Sequence, residues 1–193
     1  MSAQPTRWGE RPREPLLAKS PGGSSNPSEI LLPVRDYDLA ATLDSGQAFR
    51  WQRDGDSWTG VLGKHFLRLT QTPEGIHAKS ATKITDWNFL REFLQSEVNL
   101  SVILSTLPDD EPMRAAVNTC HGLRLLRQDP WECLASFILS STKQIVQIRQ
   151  IVELLCERYG EPCHTKTLHG QRHNSFPTPK RLAACTETEL RAC

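Results

Sequence analysis

The sequence predicts an α+β fold, an antiparallel sheet in the N-terminal part followed by a run of helices. Three observations carry that expectation. Between about residues 29 and 80 the apolar residues follow a period of two. Turn residues punctuate that stretch at short intervals. Beyond Pro108 the apolar spacing changes to 3.6. The 193 residues, 38% apolar and 23% charged, suffice for one compact domain or two small ones sharing an interface. No apolar run approaches the roughly 18–20 residues needed to cross a bilayer, which excludes a membrane-spanning helix. A formal net charge of +1 excludes a polybasic protein that coats nucleic acid by composition alone. Any nucleic-acid role has to rest on local chemistry.

Residues 1–28 read as a disordered tail. Pro5, Pro12, Pro15, Pro21 and Pro27, with Gly22-Gly23-Ser24-Ser25, neither nucleate a helix nor bury a face, and no apolar stretch suggests a secretory signal. The strands come next. Gln47–Gln52, Trp58–Leu62 and Phe66–Gln71 are short runs rich in aromatic and branched residues, separated by Asp54-Gly55, Gly63-Lys64 and Pro73-Glu74-Gly75. Alternation places Phe49 and Trp51 toward a core and Arg50 on the opposite face. Asp86 is expected to cap a helix carrying Trp87, Leu90 and Leu94, with Phe89 and Phe93 beside them, that covers the sheet.

Helix starts then recur. Asp109-Asp110-Glu111-Pro112 is an acidic, proline-bearing start, and Asp129-Pro130 pairs an N-cap acid with Pro at the first helical position. Ile145, Ile148, Ile151, Val152 and Leu155 form the stripe of a third helix that stops at Gly160. Thr178-Pro179 opens a fourth, and Thr186–Glu189 is a capping box for a fifth. The sequence ends five or six residues into that fifth helix, so the expectation is an incomplete helical domain.

Six cysteines all lie between positions 120 and 193 with no Cys-x-x-Cys spacing. Cys133, Cys156 and Cys185 sit among apolar residues at helical spacing, where a reduced Cys behaves as a small buried hydrophobe, so the reading is a reduced intracellular protein. Cys163-His164, His169 and His173 make the densest set of potential metal ligands, but Gly170 and Pro177 favour a polar surface loop there. Neither a metal nor a cofactor is expected. No phosphate loop, Gly-x-Ser-x-Gly or His-Glu-x-x-His occurs.

Two strings carry more information. Leu43-Asp44-Ser45-Gly46-Gln47-Ala48-Phe49-Arg50-Trp51 resembles the Ser-Gly-Gln-x-Phe-Arg-Trp string of 8-oxoguanine DNA glycosylases. Gly122-Leu123-Arg124-Leu125-Leu126-Arg127-Gln128-Asp129-Pro130-Trp131-Glu132-Cys133-Leu134, continued by Phe137-Ile138-Leu139-Ser140-Ser141, resembles the same family's helix-start signature. Order and separation also match, and a weaker likeness runs from about 30 to 193. The resemblance implies a twisted antiparallel sheet domain of the TATA-binding-protein-like kind over 29–107, with covering helices. Residues 108–193 would then be the first helices of an all-α glycosylase domain that lacks its helix-hairpin-helix.

Members of that family flip a damaged purine out of damaged double-stranded DNA, with 8-oxoguanine opposite cytosine, and act as monomers in base-excision repair. Guanine N7 is an acceptor, whereas N7 of 8-oxoguanine carries a hydrogen and donates. By resemblance, the carbonyl of Gly46, between Ser45 and Gln47, senses that proton. An unsatisfied polar contact with guanine costs roughly 1–3 kcal/mol. Thr142-Lys143-Gln144 stand where relatives carry an Asn-rich triplet that touches the orphaned cytosine, and Gln147 stands where they carry Arg. These four residues are the candidate DNA contacts. Arg124 and Arg127 are expected to pair within the protein, with Asp129 one possible partner.

The family reaction uses a Lys amine that attacks C1′ and an assisting Asp, both following a Leu-Pro-Gly-Val-Gly-like hairpin. No such hairpin occurs here. Lys166 and Lys180 lie in unmatched contexts, and no Asp follows Asp129. The expectation is therefore the N-terminal half of a glycosylase and lyase, inactive alone, with an exposed apolar patch on its helices. It would act inside the cell, in the nucleoid of a bacterium or the nucleus of a eukaryote. The alternative is a non-catalytic DNA-binding or protein-interaction module on the same sheet domain. An alkylpurine glycosylase is a third option, against which the Ser-Gly-Gln string speaks.

Overall fold

The structure, a computed structural model, describes residues 28–141, 143–166 and 172–193. The expected tail, apart from Ser28, lies outside the described residues, as do Thr142 and His169. Five strands form one antiparallel sheet: β1 (Ser28–Leu32), β2 (Trp51–Asp54), β3 (Ser57–Leu62), β4 (His65–Thr72) and β5 (Gly75–Ser80), in the order β1-β5-β4-β3-β2. The three expected turns join β2 through β5 as consecutive hairpins, and β1 closes the far edge against β5.

One face of the sheet is buried under α1 (Leu39–Asp44) and α2 (Asn88–Leu94). Leu67, Leu69, Ile76 and Ala78 from the strands meet Leu39, Leu43, Leu90 and Leu94 from the helices, all at 0–1% exposure. Each such Leu or Ile contributes roughly 1.5–3 kcal/mol by leaving water. Trp51 sits at the centre of this core and stacks on Phe93, with ring centroids 5.9 Å apart. Its cross-strand partner is Gly60. A Cβ at Gly60 would lie 2.6 Å from Trp51 Cε3 and 2.7 Å from the Arg50 carbonyl, so the glycine makes room for the indole.

The helical part comprises α3 (Leu100–Leu104), α4 (Glu111–Thr119), α5 (Pro130–Ser140), α6 (Ile145–Tyr159), α7 (Pro179–Ala183) and α8 (Glu187–Arg191). The expected starts hold. Asp110, Asp129, Thr178 and Thr186 each occupy an N-cap and accept a backbone N–H from the first turn. A second core forms around Ile148, Val152 and Cys156, packed by Phe49, Leu139 and Phe176.

Several local expectations change. The strand foreseen from Gln47 starts only at Trp51, because residues 46–50 bend away from the sheet toward α6. Phe49 and Trp51 therefore enter different cores, and Arg50 is buried rather than turned to the open face. Asp86 assists α2 by accepting from the Asn88 N–H at 2.9 Å, although Trp87 holds the N-cap position. Cys133 is exposed and Cys185 half-buried, and only Cys156 of that trio is fully buried. Of α5, Ala135 and Ser136 alone are buried, so Cys133 has no core to join. The short helices α1 and α3 and the small hairpin β6 (Pro162–Lys166) with β7 (Arg172–Asn174) were not foreseen.

Two outcomes follow from this packing. Gly60→Ala should lower the free energy of unfolding by about 1–3 kcal/mol in urea titration, because the added methyl meets both an indole and a backbone oxygen. Burial also pushes the Cys156 thiol up to about 12 from an ordinary value of 9.0. Burial raises the Tyr37 hydroxyl too. Both groups hold their proton more tightly folded than unfolded. The stability they contribute is intact below about pH 9 and declines as pH rises toward 12, where the unfolded chain releases protons that the folded one keeps. Urea midpoints should fall between pH 8 and 11, and Cys156→Ala should flatten that fall.

Candidate nucleic-acid interface around Gly46

The site begins at the end of α1. Asp38 caps that helix, accepting from the Ala41 N–H at 2.8 Å, and Ser45 closes it, donating from Oγ to the Thr42 carbonyl at 2.8 Å. Gly46 follows with φ +81°, a left-handed conformation that costs an L-residue roughly 1–2 kcal/mol. Glycine thus permits the chain to reverse sharply here without strain.

Gln47 then fastens the turn. Its Nε2 donates to Ser45 Oγ at 2.8 Å and to the Arg124 carbonyl at 2.9 Å, while its Oε1 accepts from the Leu126 N–H at 2.9 Å. One amide therefore ties the turn to a segment nearly eighty residues away. Thr42 adds to the fastening, with Oγ1 accepting from the Arg124 N–H at 3.1 Å and donating to the Asp38 carbonyl at 2.6 Å. The Asp38 N–H reaches the Gly122 carbonyl at 2.8 Å. Gln47 is committed to this internal bridge, a role that the string alone did not disclose.

Arg124 is buried and structural. Its Nη2 donates to the carbonyls of Arg35 and Asp36, both at 2.9 Å, and its guanidinium lies 5.3 Å from the centre of the Tyr37 ring. The expected internal pairing exists, but with backbone oxygens and an aromatic face rather than with Asp129. Asp129 caps α5, accepting at Oδ1 from the N–H groups of Trp131 at 3.0 Å and Glu132 at 2.9 Å. Arg127 keeps its side chain exposed while its N–H donates to the Phe93 carbonyl at 3.0 Å.

The turn rests against the start of α6. A Cβ built on Gly46 would lie 3.6 Å from Ile145 Cδ1. The fold therefore brings Gly46 to the first turn of α6, whose sequence neighbours Lys143, Gln144 and Gln147 are exposed, although they are about a hundred positions apart. Gln147 Oε1 accepts from the Gln144 N–H at 3.1 Å, which fixes the helix start. Arg149 Nη2 stands 3.8 Å from Asp44 Oδ1, a half-exposed pair across the same seam. Nothing in the string spacing signalled that pair or the Ile145 contact.

Gly46 is half-buried, and among the described residues its carbonyl accepts no hydrogen bond. The arrangement is thus an acceptor oxygen on a braced turn beside the first turn of α6. Such a turn can meet a polar edge by hydrogen bonding. Among the described residues no three His, Cys, Asp or Glu side chains cluster to hold a metal. Cys163 is half-buried, and His173 stacks on Phe66 with ring centroids 4.4 Å apart. Leu134, Phe137 and Ile138 on α5 and Ile145 and Val146 on α6 expose 49–73% of their surface.

Residues 29–134 match the family described as 8-oxoguanine DNA glycosylase, N-terminal domain. The N-glycosylase/DNA lyase OGG1 of Arabidopsis thaliana is 28% identical over 190 residues, which cover 93% of this chain and 51% of the plant protein. The N-glycosylase/DNA lyase of Saccharomyces cerevisiae is 31% identical over 170 residues, covering 79% of this chain and 44% of the yeast protein. The chain thus spans about half the length of the curated relatives it matches. Among solved structures, MBOgg1 in complex with a low-affinity DNA ligand superposes with a TM-score of 0.76 at 27% identity, covering 89% of this chain and 58% of that one.

Gln47→Leu keeps the side chain's size and removes its polar atoms. It should cost about 1–3 kcal/mol for each buried backbone group left unpaired. The measurements are the urea midpoint and the exchange rate of the Leu126 amide, which should rise.

Proposed function

This chain belongs to the 8-oxoguanine DNA glycosylase N-terminal domain family, and we propose that it reads oxidised guanine in damaged double-stranded DNA as part of base-excision repair. The observation that carries the reading is the Gly46 carbonyl, held on a braced left-handed turn without a hydrogen-bond partner among the described residues. A purine flipped against it is sorted by one proton. The N7–H of 8-oxoguanine donates to the oxygen, whereas the N7 lone pair of guanine faces it and leaves both acceptors unsatisfied. That contrast supplies roughly 1–3 kcal/mol, a five- to hundred-fold preference. Ser45 and Gln47 hold the oxygen in place.

The second half of the proposal concerns the opposite strand. Lys143, Gln144 and Gln147, with Thr142 assigned from sequence alone, face the partner cytosine and its phosphates. The Lys143 ammonium serves the backbone, and the carboxamides reach a base edge. The activity proposed for the whole protein is removal of 8-oxoguanine followed by strand cleavage, inside the cell and on DNA. No residue among these 193 is assigned as its amine nucleophile.

Fluorescence anisotropy with 8-oxoguanine:cytosine and guanine:cytosine duplexes at one salt concentration tests the reading. The damaged duplex should bind at least fivefold more tightly, and Gly46→Ala, which strains the turn, should abolish the difference. Lys143→Ala should weaken both complexes and reduce the salt slope by about one. Equal affinity for the two duplexes would support the non-catalytic module instead. Cleavage of the damaged strand, or borohydride trapping on it, would place a working amine within the chain.

A further inference from the structure

Helix α5 buries one face and opens the other to solvent. Ala135 and Ser136 are buried, whereas Pro130, Cys133, Leu134, Phe137, Ile138 and the C-cap Ser141 are exposed. Leu134 stands at 53%, Phe137 at 73% and Ile138 at 60% of full exposure. These positions run i, i+3, i+4, i+7, i+8 and i+11, the spacing that lines side chains up along one stripe of a helix. Glu132, the charged residue of α5, lies off that stripe. The stripe presents on the order of 500 Å2, mostly apolar. That is close to the apolar share of the roughly 800 Å2 that each partner commits to a stable homodimer.

The two ends of the stripe carry opposite charge. Asp129, exposed at the N-cap, is in line with Cys133 and Phe137 at i+4 and i+8. Lys143, also exposed, lies three positions beyond the last residue of the helix. Two copies of α5 laid antiparallel bring Asp129 of one protomer toward Lys143 of the other at both ends, and their helix dipoles oppose. Laid parallel, they bring like charges together. Charge therefore selects the antiparallel arrangement.

We propose that α5 is the contact helix of a homodimer of this chain, the stripe of one copy packing antiparallel on that of a second across a twofold axis, with Phe137 at its centre. A contact of this kind uses the same patch on both copies and so closes at two. Such a dimer departs from the monomer that the family resemblance implies. It involves none of Ser45, Gly46 or Gln47 and needs no DNA, so it stands or falls apart from the Gly46 reading.

Sedimentation equilibrium of the 193-residue chain, in reductant and across the micromolar range, tests it. The mass should rise to twice that of the chain as concentration increases. Phe137→Glu should weaken the dimer at least tenfold, as loss of a central aromatic anchor does, with near-UV circular dichroism unchanged. If that variant does not fold, Leu134→Lys decides. Lys143→Glu should also weaken association, and added salt should weaken it in the unaltered chain. Ser141→Cys treated with a short bismaleimide should link position 141 of one copy to Cys133 of the other, read from peptide masses. A monomer at every concentration, a folded Phe137 or Leu134 variant that still dimerises fully, or a dimer lacking the 133–141 link would overturn the proposal. Growth beyond two copies would do the same.

Discussion

The amide of Gln47 constrains everything built around Gly46. It makes three hydrogen bonds, one within its own turn and two to the backbone of Arg124 and Leu126. Those two residues lead into α5, so the same side chain that shapes the turn also fixes where the helical part departs from the sheet. A carboxamide suits the position because it alone offers a donor and an acceptor on one short planar group. A carboxylate would lose the two donated bonds, and an ammonium would lose the accepted one. The left-handed glycine is then held in one geometry, with its carbonyl unbonded among the described residues.

The bend between Gly46 and Trp51 does a second task. It sends Phe49 into the core around Ile148 and Val152, and Trp51 into the core under α2, so consecutive odd residues fasten two packing units together. Arg50 lies between them as a buried cation near Glu132, Glu153 and Cys156. Removing one member of such a set leaves the others uncompensated in a poorly polarisable interior, which is why buried ion clusters tolerate substitution badly.

The helical part contrasts with the sheet in how far its apolar faces are covered. On α6, Ile148, Val152, Leu155 and Cys156 are buried, while Ile145 and Val146 on the first turn remain open to solvent. On α5 the open residues are larger, with Phe137 73% exposed. A helix buries one stripe against one neighbour, and further apolar stripes wait for further neighbours. The exposed polar residues Lys143, Gln144 and Gln147 flank Ile145 and Val146 in sequence. The helix start packs beside Gly46 at Ile145, and the half-exposed Arg149–Asp44 pair spans the same seam.

Local chemistry was legible in the residues themselves. Period-two alternation and the turn residues marked β2, β3 and β4, and Asp110, Asp129, Thr178 and Thr186 marked helix starts, because each of these signals acts over a few neighbouring residues, while β1 and β5 were not singled out. Helices α1 and α3 escaped notice, since six and five residues do not establish a 3.6 period. The two family strings singled out Gly46 and the entry to α5, but did not show that the Gly46 turn lies against the first turn of α6. Sequence could not show that Gln47 is a strut, that Arg50 is buried, or that Cys133 is exposed. Those outcomes depend on partners that lie up to 124 positions away, as the Arg50 bond to Asn174 does. What the chain alone determined was which elements form and which strings matter. What tertiary structure decided was which side chains are spent on internal bonds and which are left to meet a ligand, because that depends on packing between distant segments.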